Sequence, residues 1–233
     1  MRTAIGLGMF GRPGAGAVAP FYPLTYGTPV AIFRADKQFT AAQWNDQSGN
    51  GYHLTQATAG QQGAATTAGT NVVPAVKFTR ASVTRYQTAA FSSALLASTI
   101  VLICDFDATG DQSMCDGLTT GSRQVIDLNG VAASSLYAGA LVGDATAPLT
   151  ALTHRVAVFS GAASTYWTQG VKRFTANPGT NSMDGLTLGD RFASLGVSSN
   201  SKIVACYVYR GVLSDANIAA LYAQDLAYCG TGI

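Results

Sequence analysis

Eight consecutive residues, Thr99-Ile100-Val101-Leu102-Ile103-Cys104-Asp105-Phe106, restrict the fold more than any others in the chain. Side chains along a strand alternate between two faces, so a run that is apolar at both parities is a strand covered on both sides. Around it lie short β-prone runs separated by Gly, Asn, Ser and Pro clusters, the pattern of an all-β antiparallel sandwich. The runs fall at 30–35, 114–118, 124–128, 135–142, 154–161, 165–170, 184–189 and 203–209. Residues 83–88 alternate poorly and are expected at a sheet edge. Residues 57–71, rich in Ala, Gly, Gln and Thr, are expected to form a long surface loop.

One helix is expected, over 214–226. Ser214 suits the N-cap and Asp215 the positive helix start, and Leu213 with Ile218 has the spacing of a hydrophobic staple. Ile218, Leu221, Tyr222 and Leu226 then form one apolar stripe that faces the sandwich. At 233 residues a single β domain is an ordinary size. It is expected over 28–233, behind an extended N-terminal arm at 1–27 that carries Phe10, Phe21, Tyr22 and Tyr26. The arm has neither helical nor strand periodicity, so it is expected to lie along a neighbouring subunit with its aromatics inserted there.

Between the first two β runs stands Trp44-Asn45-Asp46-Gln47-Ser48-Gly49-Asn50-Gly51-Tyr52-His53-Leu54-Thr55-Gln56. Ser48-Gly49-Asn50-Gly51 supplies positions that accept positive φ, and Asp46 is placed to brace the turn. This stretch resembles the opening signature of laminin-G-like domains in the concanavalin A-like lectin/glucanase superfamily, of the type common among phage and bacterial surface proteins. The resemblance continues in Pro74-Ala75-Val76-Lys77-Phe78, with Thr79-Arg80 where the family has an Asp-Gly turn. It ends in the stretch from Lys202 to Gly211, then Val212-Leu213-Ser214-Asp215-Ala216. It implies a jelly-roll sandwich with Trp44 in its core. Its phage members imply a structural subunit of a particle, of the capsid-decoration, head-fibre or tail type, assembled in the host cytoplasm. The partners implied are other virion proteins and further copies of the chain, with a trimer expected. The alternative is an adhesin or lectin that reads host surface polysaccharide through Tyr52, Tyr166 and Trp167.

Composition narrows the chemistry. The acids are twelve Asp and no Glu, whereas the family's glucanases work with paired Glu. The nearest carboxylate pair, Asp105 and Asp107, shares a strand face but reads as a turn former before Gly110. A non-enzymatic protein is therefore expected. His53 and His154 lack the context of a nucleophilic triad and are read as structural. Asp46, Asn50, Asp111 and Asp116 are oxygen donors without the spacing of a calcium loop, and no metal or cofactor is expected. The four cysteines show no zinc spacing. They are read as buried thiols, with Cys104–Cys206 the one pair weighed for a disulfide. A net charge of +2 without a basic run gives no footprint for nucleic acid. Arg12 and Pro13 cut short the apolar stretch at 1–10, so it does not read as a secretory signal, and no run is long enough to span a membrane. Charged residues are only 11% of the chain, against about 25% in ordinary soluble domains, which favours a surface covered by partners.

Overall fold

The strand around that doubly apolar run, Ser98–Phe106 (β7), is central in a computed structural model of the protein, which describes residues 22–106, 110–129, 133–144, 151–193, 196–231 and 233. Ile100, Leu102, Cys104 and Phe106 point into the core between two sheets, while Val101 and Ile103 point outward into a second apolar layer. Two covers explain the two apolar parities.

The first eight-stranded antiparallel sheet, sheet A, runs in the order β14-β13-β12-β7-β16-β5-β4. Its members are Val171–Ala176 (β14), Ser164–Thr168 (β13), Thr153–Phe159 (β12), β7, Ser201–Arg210 (β16), Val73–Phe78 (β5) and Ala64–Ala68 (β4). Thr28–Arg34 (β1) pairs with the C-terminal half of β16, beside the stretch where β5 pairs with its N-terminal half. Sheet B, also antiparallel, runs β11-β10-β9-β8-β15-β6-β3-β2. It comprises Leu141–Gly143 (β11), Ala133–Tyr137 (β10), Val125–Asn129 (β9), Gln112–Asp116 (β8), Thr187–Leu188 (β15), Tyr86–Gln87 (β6), Leu54–Thr55 (β3) and Gln43–Trp44 (β2). Trp44, Leu54, Tyr86, Met114, Ile126, Leu136 and Leu188 line its inner face.

The helix Asp215–Cys229 (α1) packs on the outer face of sheet A. Its N-cap is Ser214, whose hydroxyl accepts the Asn217 N–H at 3.2 Å. It runs a turn beyond the expected end because Asp225 and Cys229 are buried along with Ile218 and Leu221. Asp225 finds donors there in the Tyr22 and Tyr207 hydroxyls, which bond Oδ1; His154 Nε2 stands 3.2 Å from Oδ2 but is not hydrogen-bonded to it. At the hairpin between β13 and β14, Gln169 and Gly170 both take positive φ. A Cβ on Gly170 would also stand 2.6 Å from the Tyr222 ring of α1.

Three expectations are corrected. Residues 57–71 hold the edge strand β4, since Ala and Thr side chains suit a partly exposed strand paired on one side to β5. Residues 83–88 hold a strand interior to sheet B, because Tyr86 and Gln87 pair with β15 on one side and Gln87 pairs with Thr55 of β3 on the other. Tyr22 and Tyr26 pack against the chain's own helical layer: Tyr22 bonds Asp225, and Tyr26 accepts from Gln224 Nε2 at 2.7 Å. Phe10 and Phe21 lie outside the described residues. All four cysteines are buried free thiols, Cys104 and Cys206 included, and burial pushes the Cys104 thiol up to about 11.

Candidate functional site

The Trp44–Gln56 stretch is a braced turn. Gly49 and Gly51 take positive φ with open space around them, so backbone conformation alone requires glycine there. Asp46 Oδ1 accepts the N–H groups of Ile32 and Ser48 at 2.9 and 2.8 Å. Its Oδ2 accepts the Ser48 hydroxyl and the Tyr52 N–H at 2.8 and 3.1 Å. Asn50 Nδ2 ties the turn back to the Pro29 and Val30 carbonyls, and His53 Nδ1 accepts the Asp46 N–H at 3.1 Å. These side chains hold one another and the backbone of β1. Trp44 is fully buried, its indole N–H donated to the Arg34 carbonyl.

The three aromatics expected to bind glycan are not brought together. Tyr166 and Trp167 are neighbours on β13, so they face opposite ways. Tyr166 is in the intersheet core, stacked on Phe174 and accepting from Arg155 Nη1 at 3.2 Å. Trp167 lies in the layer under α1, its indole N–H donated to Thr165 and Lys172 Nζ 4.7 Å from its ring. Tyr52 is half-buried against Phe91, with its hydroxyl oxygen accepting the Ser92 N–H at 2.7 Å. No shared platform results.

A different surface gathers polar side chains and half-exposed rings. Helix α1, the one α-helix among the described residues, caps sheet A and leaves the outer face of sheet B without a helical cover. Cross-strand register lines up Gln43, Thr55, Gln87, Thr187 and Asp116 in one row across β2, β3, β6, β15 and β8. Gln87 Nε2 donates to the Thr187 hydroxyl at 3.0 Å, which in turn donates to the Gly117 carbonyl at 2.8 Å. Arg123, on the turn into β9, closes the row with Nε and Nη2 both on Asp116 Oδ2, at 3.0 and 2.8 Å. Its guanidinium lies between the rings of Tyr137 and Phe192, 5.1 and 5.2 Å from their centroids. Both rings are half-exposed.

Two more arginines border this stack. Arg85 Nη1 donates to the Phe192 carbonyl at 3.2 Å, and Arg191 Nη2 donates to Asp127 Oδ2 at 2.8 Å. Burial raises the Asp116 and Asp127 carboxyls above the usual 3.8, against the pull of Arg123 and Arg191. Arg123, Tyr137 and Phe192 escape sequence reading because they come from a turn, a strand and a loop with no periodic relation. Asp116, an oxygen donor by residue type, has Arg123 as its partner. Among the described residues no group of three His, Cys or Asp side chains is placed to hold a metal.

Asp105 stands on the other layer, on the outer face of sheet A, and its Oδ1 accepts the Lys202 N–H at 2.6 Å. Asp107 lies outside the described residues. No helix among them is long and apolar enough to cross a membrane.

No protein-family model matches the chain, and a search of curated proteins finds no match. Solved structures do share its architecture. Domain 4 of AbnA, a GH43 extracellular arabinanase from Geobacillus stearothermophilus in complex with arabinotriose, is 13% identical with a TM-score of 0.58, over 84% of this chain and 99% of that one. Trypanosoma rangeli sialidase is 13% identical with a TM-score of 0.55, over 88% of this chain and 33% of that one. A mutant of that sialidase displaying trans-sialidase activity reaches 14% and 0.59, over 88% and 34%. The chain thus spans about a third of the sialidase chains. At these identities the likeness is one of fold.

Proposed function

We propose that this chain is a non-enzymatic carbohydrate-binding sandwich of the concanavalin A-like kind, which holds saccharide on the outer face of sheet B. The observation that carries the reading is the outer row of sheet B, in which Gln43, Thr55 and Gln87 reach the surface, followed beyond the buried Thr187 and Asp116 by Arg123 set against the half-exposed rings of Tyr137 and Phe192. Sugars present fixed hydroxyls beside apolar C–H faces, so a receptor needs planar hydrogen-bonding groups next to partly exposed rings. Gln43, Thr55 and Gln87 supply the former, and Tyr137 with Phe192 the latter. The Asp116 ion pair holds the guanidinium in one orientation before any ligand arrives, which lowers the ordering cost of binding. The fold neighbours agree in kind, since they come from carbohydrate-active proteins and the arabinanase domain is complexed with arabinotriose.

Hydrolysis would need one carboxyl group to protonate the leaving oxygen and another to attack or activate water. On this face Asp116 and Asp127 are buried and each is held by an arginine. Asp105 is on the opposite layer, bonded to the Lys202 backbone. The expectation of a virion subunit rested on the resemblance to phage members of the family, on the low charge, on thiols without a secretory signal and on the arm at 1–27. Tyr22 and Tyr26 are committed to the chain's own helix, so the saccharide reading takes precedence.

Affinity electrophoresis of the full chain through gels containing a panel of soluble polysaccharides tests the proposal. At least one is expected to retard migration, without release of reducing ends. Tyr137→Ala should weaken that retention about tenfold, the scale of one lost aromatic contact, with an unchanged circular dichroism spectrum. Migration unaffected by every polysaccharide, or retention indifferent to Tyr137→Ala, would remove the reading.

A further inference from the structure

Lys202 of β16 stands directly opposite Lys77 of β5 on one side and Asp105 of β7 on the other. Ala75 and Ile103, two positions back on β5 and β7, pack in the outer layer under α1, so Lys77 and Asp105 share that outer face. The row lines a cleft of about 470 Å³, whose wall is completed by Phe78, Thr79, Phe106, Asn200 and Ser201. Asp105 is engaged with Lys202: its Oδ1 accepts the Lys202 N–H, and its Oδ2 lies 3.7 Å from Lys202 Nζ. Among the described residues Lys77 has no carboxylate within ion-pair distance. Two lysines and one aspartate leave this row with one positive charge in excess.

Like charges directly opposite on neighbouring strands destabilise a sheet. Here the opposed pair, Lys77 and Lys202, stands at the edge of a cavity large enough for a small molecule. We propose that the cleft binds an oxyanion group (a carboxylate, sulfate or phosphate) between the Lys77 and Lys202 ammonium groups, with the Thr79 hydroxyl as a neutral donor. The anion relieves the lysine–lysine repulsion, so binding and fold stability are coupled at this place. The site is on the layer opposite the saccharide face and is independent of it. Its ligand is either a free inorganic anion or the acid group of a charged sugar.

Thermal unfolding of the full chain in millimolar sodium phosphate, sodium sulfate or sodium glucuronate, each against sodium chloride at matched ionic strength, tests the inference. At least one anion is expected to raise the melting temperature saturably by a few degrees. A response to phosphate or sulfate alone assigns a compact inorganic group, and one to glucuronate alone assigns a sugar acid. Lys77→Gln should abolish the saturable shift while melting no lower than wild type without anion, and Lys77→Arg should keep the shift. Sulfate and phosphate also stabilise proteins generally by exclusion from their surface. A shift that does not saturate, or that persists in Lys77→Gln, would therefore overturn the proposal, as would no shift beyond chloride with all three anions.

Discussion

Asp46 joins two distant pieces of chain through one carboxylate, since its acceptors serve Ile32 on β1 and Ser48 and Tyr52 on the turn. Removing it would leave several donors around a largely buried site without a partner, each at a cost of about 1–3 kcal/mol. Asp46→Ala is therefore expected to destabilise by about 3 kcal/mol or more in urea unfolding. Asp46→Asn should recover only part of this, because an amide nitrogen facing the Tyr52 N–H sets donor against donor. A loss below about 1 kcal/mol in Asp46→Ala would show that the backbone holds the turn by itself. This bracing role is legible from the residues, because a carboxylate two positions before Ser-Gly is within reach of the turn's own N–H groups. Arg123 at the same scale was not legible. A guanidinium between Tyr137 and Phe192 needs three segments whose meeting depends on how β8, β9 and the loop after β15 are arranged.

Among the elements, β7 and α1 explain each other. A strand with Val101 and Ile103 on one face and Leu102 and Cys104 on the other must be roofed on both sides, and α1 is the second roof. Leu221 is fully buried in that contact. Leu221→Ala is expected to cost about 2–5 kcal/mol, whereas Ser214→Ala, which removes only the cap, should cost about 1 kcal/mol. Chemical denaturation of the two variants checks the ranking, and equal losses would mean that the helix contributes by its own formation and little by packing. The cap and the stripe at 218, 221, 222 and 226 were readable from spacing. Asp225 on the same buried side was not, because its burial is offset by Tyr22 and Tyr207, which come from remote segments. The edge strand β4 was missed for a related reason: Ala-Ala-Thr-Thr-Ala has no alternation of its own and takes its strand form from pairing with β5.

At the scale of the molecule, the outer faces of the two sheets differ, one roofed by a helix and one carrying polar side chains and ion pairs. The polar face has a consequence for stability against pH. A carboxyl raised by burial holds its proton more tightly when folded than when unfolded. The stability it contributes is full below about pH 3.8 and falls as pH climbs through the raised value. Asp127→Asn lacks this titration, so its stability is expected to gain on wild type as pH goes from 3.8 to 7, measured by urea unfolding at successive pH values. A difference that stays constant or moves the other way would place the Asp127 carboxyl at or below its ordinary value in the fold. Sequence by itself determined the layered antiparallel architecture, the braced turn and the capped helix. Each of these follows from spacing within a few residues, where strand alternation, helical period and glycine freedom act directly. Only the tertiary structure decided which face meets solvent, where Tyr166 and Trp167 point, that Arg123 meets Tyr137 and Phe192, and that Lys77 stands opposite Lys202. Those depend on register between strands far apart in the chain, and a one-residue slip in pairing would turn every side chain involved to the other face.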